Sequence, residues 1–407
     1  MKYKRRPLYF EQIQPYINDR LIKIITGQRR VGKSYVMNQI KDEILEQNSE
    51  ANIIYINKED YAFDAIKNYV DLMYFLEPTI KSKEKTYLFI DEIQEIEEFE
   101  KAIRSLQLSD QFDIYCTGSN ASLLSGELAT HLAGRYIQIR VHSLSYVEYL
   151  DFHNCEDSQE TFLEYAQFGG MPHLINLRKS REVYYEYLRN IFDSIILRDV
   201  VARYKLRNVN TLQNLIQFLS DNVGSLFSAT SISSFLKSQK ISLLPKTILE
   251  YTELLQLVYF IEGVKRADIH GKKIFEIGEK FYFEDIGMRN AIIPFQIQDL
   301  NKLLENIVYH HLKCMQFDVY IGQLGNKEVD FIASKNDQKY YIQVAYLLIE
   351  DATIEREFGN LEAIRDNYPK LVITMDDVPM SNSNGIEHWN IRKFLLNFGL
   401  KGIRNGV

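Results

Sequence analysis

The residues best suited to chemistry form one short run, Gly27-Gln28-Arg29-Arg30-Val31-Gly32-Lys33-Ser34. Its spacing, G-x-x-x-x-G-K-[ST], is that of a loop that wraps phosphate. Glycines admit a phosphate against bare backbone where a Cβ would block the approach. The amides then point inward as an anion nest at a helix N-terminus. In that geometry Lys33 pairs with the β- and γ-phosphates of ATP and Ser34 ligates Mg2+, while Gln28, Arg29, Arg30, Val31 and Tyr35 complete the lining. A second acidic feature follows in Tyr87 to Glu92, where four apolar residues lead into two acids. Asp91 is suited to hold the Mg2+ shell and Glu92 to orient and polarise the attacking water. Gly118-Ser119-Asn120 offers two polar residues that can sense the γ-phosphate, and either Ser119 or Asn120 fits; both also suit a turn. Arg135, just before a strand, is a candidate arginine finger for a neighbouring subunit's nucleotide, with Arg29, Arg30 and Arg140 competing for that role.

The elements that must position these groups alternate strand and helix. Leu21 to Thr26 reads as a short buried strand running straight into the phosphate loop. Tyr35 to Gln47 reads as an amphipathic helix with Val36, Ile40, Ile44 and Leu45 on one side. Ile53 to Asn57, Tyr87 to Glu92, Ile114 to Thr117 and Tyr136 to Val141 supply further strands. Leu144 to Phe152, Glu160 to Tyr165 and Tyr184 to Leu197 read as helices, with Phe168-Gly-Gly-Met-Pro172 as a break. Ala229 to Leu236 and Leu244 to Leu255 fit two helices, followed by short strands at Val258 to Ile261 and Lys273 to Glu276. Leu303 to Leu312 is helical, Glu328 to Ile332 and Tyr340 to Val344 are strands, Glu355 to Ile364 is a helix and Leu371 to Met375 a buried strand.

GQRRVGKS, LFIDEIQ, TGSNASLLS, LAGRY and HSLSYVEYL together resemble a large family of prokaryotic AAA-type ATPases, from about Ile22 to Asp376. The resemblance implies an α/β fold with a parallel-sheet P-loop NTPase core, a helical region, a winged helix and a C-terminal domain of restriction-endonuclease-like fold. The domains would then be 1–145, 146–220, 221–290 and 291–407. In a winged helix the helix opening at Pro245-Lys246-Thr247 would read DNA, but Lys246 is its only base, and Lys265, Arg266, His270, Lys272 and Lys273 at the hairpin are better placed. Arg198, Arg203, Lys205 and Arg207 form a further basic stretch that suits nucleotide, DNA or plain solvation. In the nuclease-like core, Glu305 and Asp330 match the metal-binding acids. The E-x-K position reads Gln343-Val344-Ala345, a neutral ligand and no lysine, which leaves Lys327 and Lys339 as the lysines that could reach the site; the fold is expected to be degenerate there.

Hydrophobic residues make up 46% of the 407 and charged residues 25%, which excludes wholesale disorder. A net charge of -7 argues against a chain that coats nucleic acid with its whole surface, though not against a local basic patch. Cys116, Cys155 and Cys314 form neither a disulfide framework nor a metal pair and fit a reducing cytoplasm. No apolar run approaches a membrane span. The basic start at Lys2, Lys4, Arg5 and Arg6 reads as a solvated tail. His310-His311 is not at metal spacing, and Asp376-Asp377 reads as a turn. The expected function is Mg-dependent binding and hydrolysis of ATP by a homo-oligomer, a ring among its allowed forms, acting as a DNA-associated motor or switch. The alternatives are a nucleotide-gated DNA- or protein-binding scaffold with slow hydrolysis, and an ATP-dependent nuclease.

Overall fold

The computed structural model describes residues 3–82, 85–124, 132, 134–269, 274–348, 351–377 and 384–400, without the side chains of 122, 124, 274–277 and 351–353. His270, Lys272 and Lys273 of the hairpin, and Lys2, lie outside the described residues. The chain divides into two compact units, Met1–His142 with Leu257–Tyr259, and Ser143–Gln256 with Phe260–Val407.

The first unit runs α1 (Pro7–Ile13), β1 (Ile22–Thr26), α2 (Lys33–Gln47), β2 (Asn52–Asn57), α3 (Tyr69–Ser82), β3 (Thr86–Asp91), α4 (Phe99–Gln107), β4 (Phe112–Gly118) and β5 (Tyr136–Arg140). The strands form a five-stranded sheet in the order β2-β3-β4-β1-β5, and every pairing is parallel. Parallel strands with helical crossovers are covered on both faces, which is why β1 and β4 are buried at every position. The core gathers Ile24, Ile56, Leu88, Ile90, Ile114 and Cys116 from the strands with Leu72, Leu76, Ala102 and Ile103 from α3 and α4. Helices α1, α3 and α4 are not expected from sequence. In α4 the apolar residues Phe99, Ala102, Ile103 and Leu106 sit at helical spacing and are all buried, but Glu and Lys between them dilute the signal.

The basic start is not a solvated tail. Arg6 is only 3% exposed. Its backbone N–H donates to Gln39 Oε1 on α2 at 2.8 Å, and its guanidinium donates to the carbonyls of Val31 and His142, each at 2.9 Å. Arg5 pairs with Glu43 and Glu46 on α2. Pro7 opens α1 here, fixing the chain against α2 rather than in water.

The second unit holds α5 (Tyr146–His153), α6 (Gln159–Phe168), α7 (Arg181–Ser194), α8 (Val209–Asp221), β6 (Leu226–Phe227), α9 (Ala229–Ser238), α10 (Pro245–Leu257), β7 (Ile261–Asp268), β8 (Ile274–Phe283), α11 (Ile286–Ile292), α12 (Leu300–Cys314), β9 (Asp318–Leu324), β10 (Lys327–Lys335), β11 (Gln338–Val344), α13 (Asp351–Glu362), β12 (Lys370–Thr374), β13 (Ile386–Asn390) and α14 (Ile391–Asn397). Past Ser194 the chain continues as a π-helix over Ile195–Ala202. All eight strands lie in one sheet, ordered β13-β12-β11-β10-β9-β7-β8-β6. It is continuous across residue 290, because β7 pairs in parallel with β9. The strands expected at Val258 to Ile261 and Lys273 to Glu276 are longer and displaced. Gly263, Lys265 and Arg266 give β7 a poor strand propensity, and pairing with β8 and β9 overrides it. The break at Phe168-Gly-Gly has a packing cause: a Cβ on Gly287, at the start of α11, would lie 1.9 Å from the Phe168 carbonyl oxygen, and the Gly170 N–H donates to Asp285 Oδ2 at 2.7 Å.

Candidate nucleotide-binding site

Strand register brings the chemistry to one edge. Thr26 of β1 lies opposite Gly118 of β4, and Ile90 of β3 opposite Cys116. The loop after β1, the acids ending β3 and the polar residues ending β4 therefore emerge together at the carboxyl ends of the strands, where open α/β sheets bind ligands. Gly27 has φ 144°, and a Cβ there would stand 2.1 Å from the Val141 carbonyl oxygen; only glycine fits. Gly32, at φ 100°, caps α2, and the first helical residue is Lys33.

The Lys33 ammonium donates to the carbonyls of Gly27 and Gln28 at 3.1 and 3.0 Å and stands 4.0 Å from Glu92 Oε1. Asp91 accepts from the hydroxyls of Thr117 and Ser34, and burial pushes its carboxyl up against these two bonds. Tyr55 adds a donor to Asp91 at 3.4 Å. Glu92 has a left-handed backbone, φ 56°, and its N–H donates to Thr117 Oγ1 at 2.9 Å. Its Oε2 accepts from the Gln94 amide and from Ser119 Oγ at 3.3 Å. Burial works to raise the Glu92 carboxyl, but Lys33, Gln94, Arg29 and Ser119 hold it below the usual carboxylate range. Thr117 thus holds both acids at once. In sequence Thr117 is only a strand end, and Gln94 only part of a motif.

Of the two candidate sensors, Ser119 reaches Glu92, and Asn120 is buried in the turn beyond it, its carbonyl accepting from Leu123 N–H. Val31 is buried, Arg30 is exposed in a left-handed conformation, and Arg29 faces Glu59 at 3.5 Å. Tyr35 is exposed and meets Tyr3 edge-on at 6.0 Å. Arg140 pairs in register with Thr26, beside the loop, and lies 4.9 Å over the Tyr259 ring. Arg135 is exposed at the other end of β5. Five residues of strand separate it from the loop, roughly 16 Å at about 3.3 Å per residue, beyond the reach of its side chain.

The residues fit a triphosphate and its Mg2+. The Gln28 side chain is fully buried in the loop with neither amide atom hydrogen-bonded, an orphan in a phosphate cradle that a Cβ at Gly27 would spoil. Ser34 and Asp91 are hard oxygen donors in contact, the set Mg2+ takes.

The second expected constellation also assembles, differently. Glu305 of α12 and Glu328 and Asp330 of β10 converge on Lys280 of β8, their oxygens 2.8, 2.9 and 3.5 Å from its ammonium. Gln343 Oε1 accepts from the Asp330 N–H at 3.2 Å. Burial and the charge of Glu305 push the Asp330 carboxyl up, and Lys280 works against them. Lys327 instead bonds the Gly359 carbonyl, and Lys339 lies over Tyr341 and Tyr368. Lys280 had no sequence signal, being 25 residues from Glu305 and beyond the strand expected at Lys273 to Glu276.

Residues 19–150 match the family model of an AAA domain, and residues 159–299 match a domain of unknown function, DUF8612. A protein of Haemophilus influenzae described as uncharacterized is 35% identical over 388 residues, 94% of this chain and 96% of that protein. One of Methanocaldococcus jannaschii, described likewise, is 31% identical over 376 residues, covering 88% and 82%. Among solved structures, the Aeropyrum pernix ORC1 protein in complex with DNA has a TM-score of 0.34 at 11% identity over 72% of this chain and 92% of that one. Domain III of the Thermotoga maritima replication initiation protein DnaA has a TM-score of 0.28 at 13% identity over 61% and 90%. Likenesses at this level do not discriminate among functions. No helix among the described residues is long and apolar enough to cross a membrane. Matched to these relatives over most of their length and carrying an AAA domain of P-loop type over residues 19–150, the chain belongs to one family with the Haemophilus and Methanocaldococcus proteins.

Proposed function

We propose that the protein hydrolyses ATP at the carboxyl edge of the five-stranded sheet. The observation that carries this reading is the convergence of Lys33, Ser34, Asp91 and Glu92 around Thr117 and Ser119. The loop amides and Lys33 bind and neutralise the β- and γ-phosphates. Ser34 and Asp91 would hold Mg2+, which when bound would supply charge neutralisation at the phosphates. Glu92 orients the attacking water through the carboxylate that Gln94 and Ser119 hold in place. Ser119 couples that carboxylate to the γ-phosphate side of the site.

Arg135 is the arginine offered to a second copy's nucleotide. Its exposure at the amino end of β5 supports a role in trans and hence a homo-oligomer, a ring included. DNA is the proposed partner, contacted by Lys265 of β7 and by Arg198, Lys205 and Arg207, all exposed. Helix α10 is the poorer reader: Lys246 pairs with Glu250 at 3.9 Å, and Leu244 and Leu249 stand exposed beside them.

A second reading, a nucleotide-gated scaffold with slow hydrolysis, draws support from Glu92. A carboxylate held below its usual range is a weaker base for water activation. One experiment separates the two. ATP turnover is measured for the wild type, Lys33→Ala and Glu92→Gln, with and without duplex and branched DNA at stated low and moderate salt. Turnover that rises with DNA and collapses in Glu92→Gln while nucleotide binding persists supports a motor. Slow turnover indifferent to DNA supports the scaffold, and turnover unchanged in Glu92→Gln removes that residue from its role.

A further inference from the structure

The acids of the C-terminal cluster recruit their cation from inside the chain. Lys280 enters from β8, where its backbone pairs with Val264 on one side and Leu226 on the other. Its side chain is 4% exposed, and its ammonium touches carboxylates from α12 and β10. Two of these acids are held by further protein donors. Glu305 Oε1 also accepts from the Tyr282 hydroxyl, and the Gly224 backbone lies close enough that a Cβ there would stand 3.2 Å from the Glu305 carboxylate. Asp330 Oδ2 accepts from the Val344 N–H at 2.9 Å. Glu357, a further buried acid whose charge is felt at Asp330, is paired with Arg356 at 2.6 Å.

Mg2+ demands about six oxygens near 2.1 Å and usually keeps several waters. Among the described residues, no three of these carboxylates bring oxygens within 4.8 Å of one another. An ion bonded to both Glu305 and Asp330 would also stand against the ammonium, which no proton loss removes at neutral pH, since the carboxylates overcome burial and raise its affinity for the proton. The residues present do not fit the divalent ion that the nuclease-like resemblance implies.

We propose that Lys280 is the resident cation of this cluster, standing where a nuclease of that fold would carry a metal, and that it makes the cluster a metal-excluding ionic clasp between β8, α12 and β10. The missing lysine of the E-x-K position is then no loss of catalysis to be repaired. A lysine from another strand has taken the site over. This is independent of the ATPase reading.

The test follows free Mn2+ by electron paramagnetic resonance in the nucleotide-free full chain. Wild type and Asp330→Asn should bind Mn2+ identically, since any ion at the phosphate loop is common to both. Lys280→Ala should gain one further Mn2+, lost again in Lys280→Ala/Asp330→Asn. Lys280→Arg, which keeps the charge, should show the wild-type stoichiometry. The proposal is overturned if Asp330→Asn loses a Mn2+ that the wild type binds. It is equally overturned by Mn2+-dependent DNA cleavage that disappears in Asp330→Asn, or by a folded Lys280→Ala that gains nothing. Should Lys280→Ala not fold, the wild-type and Asp330→Asn comparison still decides.

Discussion

Arg6 is the least expected member of the nucleotide site, and its replacement tests whether the start of the chain supports the phosphate loop. Arg6→Met keeps most of the aliphatic stem and removes the donors. Two buried carbonyls then lose a charged donor: Val31 within the loop, and His142 just beyond the Val141 carbonyl that flanks Gly27. Each such loss costs roughly 1–3 kcal/mol, so the pair costs about 2–6. Removing a buried charge returns part of that, which sets the expectation at the low end, about 2–3 kcal/mol of stability in the first unit. Arg5→Met is the control, because Arg5 makes half-exposed ion pairs with Glu43 and Glu46 worth at most about 1 kcal/mol. Urea unfolding and the affinity for a fluorescent ATP analogue are measured in both variants. Arg6→Met should weaken nucleotide binding about tenfold or more, since 1.4 kcal/mol of loop distortion suffices, with Arg5→Met close to wild type. If the two variants behave alike, Arg6 is a surface residue in effect and the loop does not depend on it.

Three further outcomes are expected. Thr117→Val, which keeps shape but strips the hydroxyl that serves Asp91 and Glu92, should lower ATP turnover about tenfold or more through loss of a charge-assisted bond; unchanged single-turnover rates would remove Thr117 from the site. Gly27→Ala should abolish binding of the ATP analogue, because its Cβ would sit 2.1 Å from the Val141 oxygen at a backbone angle alanine resists; binding at wild-type strength would contradict the cradle. Burial pushes the His311 imidazole down to about 4 from 6.5. A folded value below the unfolded one gives stability that is complete above pH 6.5 and is lost as pH falls toward 4, roughly 3 kcal/mol in all. His311→Gln should remove that part of the acid sensitivity, and urea midpoints of the two proteins that run parallel from pH 7 to 4 would count against it.

The nucleotide site was legible because its chemistry is local. Gly27 to Ser34 and Asp91-Glu92 each carry their meaning in consecutive residues, and strand–loop–helix order says where they stand. What escaped depends on distance in the chain. Thr117 acts through a register that sets β4 beside β3, and Arg6 acts across 136 residues on His142. A basic cluster ahead of a proline looks like a tail from composition alone. The eight-stranded sheet escaped for the same reason: β7 joins β9 by parallel pairing, and its Gly, Lys and Arg content argues locally for a loop. Glu305, Asp330 and Gln343 were found by their spacing, but the residue that decides their chemistry came from a strand on the other side of residue 290.

The two acidic sites differ in where a lysine stands. In the first unit Lys33 is bonded to backbone carbonyls of its own loop and reaches Glu92 only at 4.0 Å. That leaves Asp91 in contact with Ser34, an oxygen pair that a small divalent ion can join. In the second unit Lys280 stands among the carboxylates at 2.8 to 3.5 Å. Attraction between opposite charges falls with separation and rises with burial. A lysine in direct contact with three acids therefore competes with any metal for all of them, whereas one held off by its own loop leaves the acids available. Acids at the ends of neighbouring strands do not by themselves define a metal site. The position of the nearest ammonium decides whether they bind an ion, activate water or only clasp the fold.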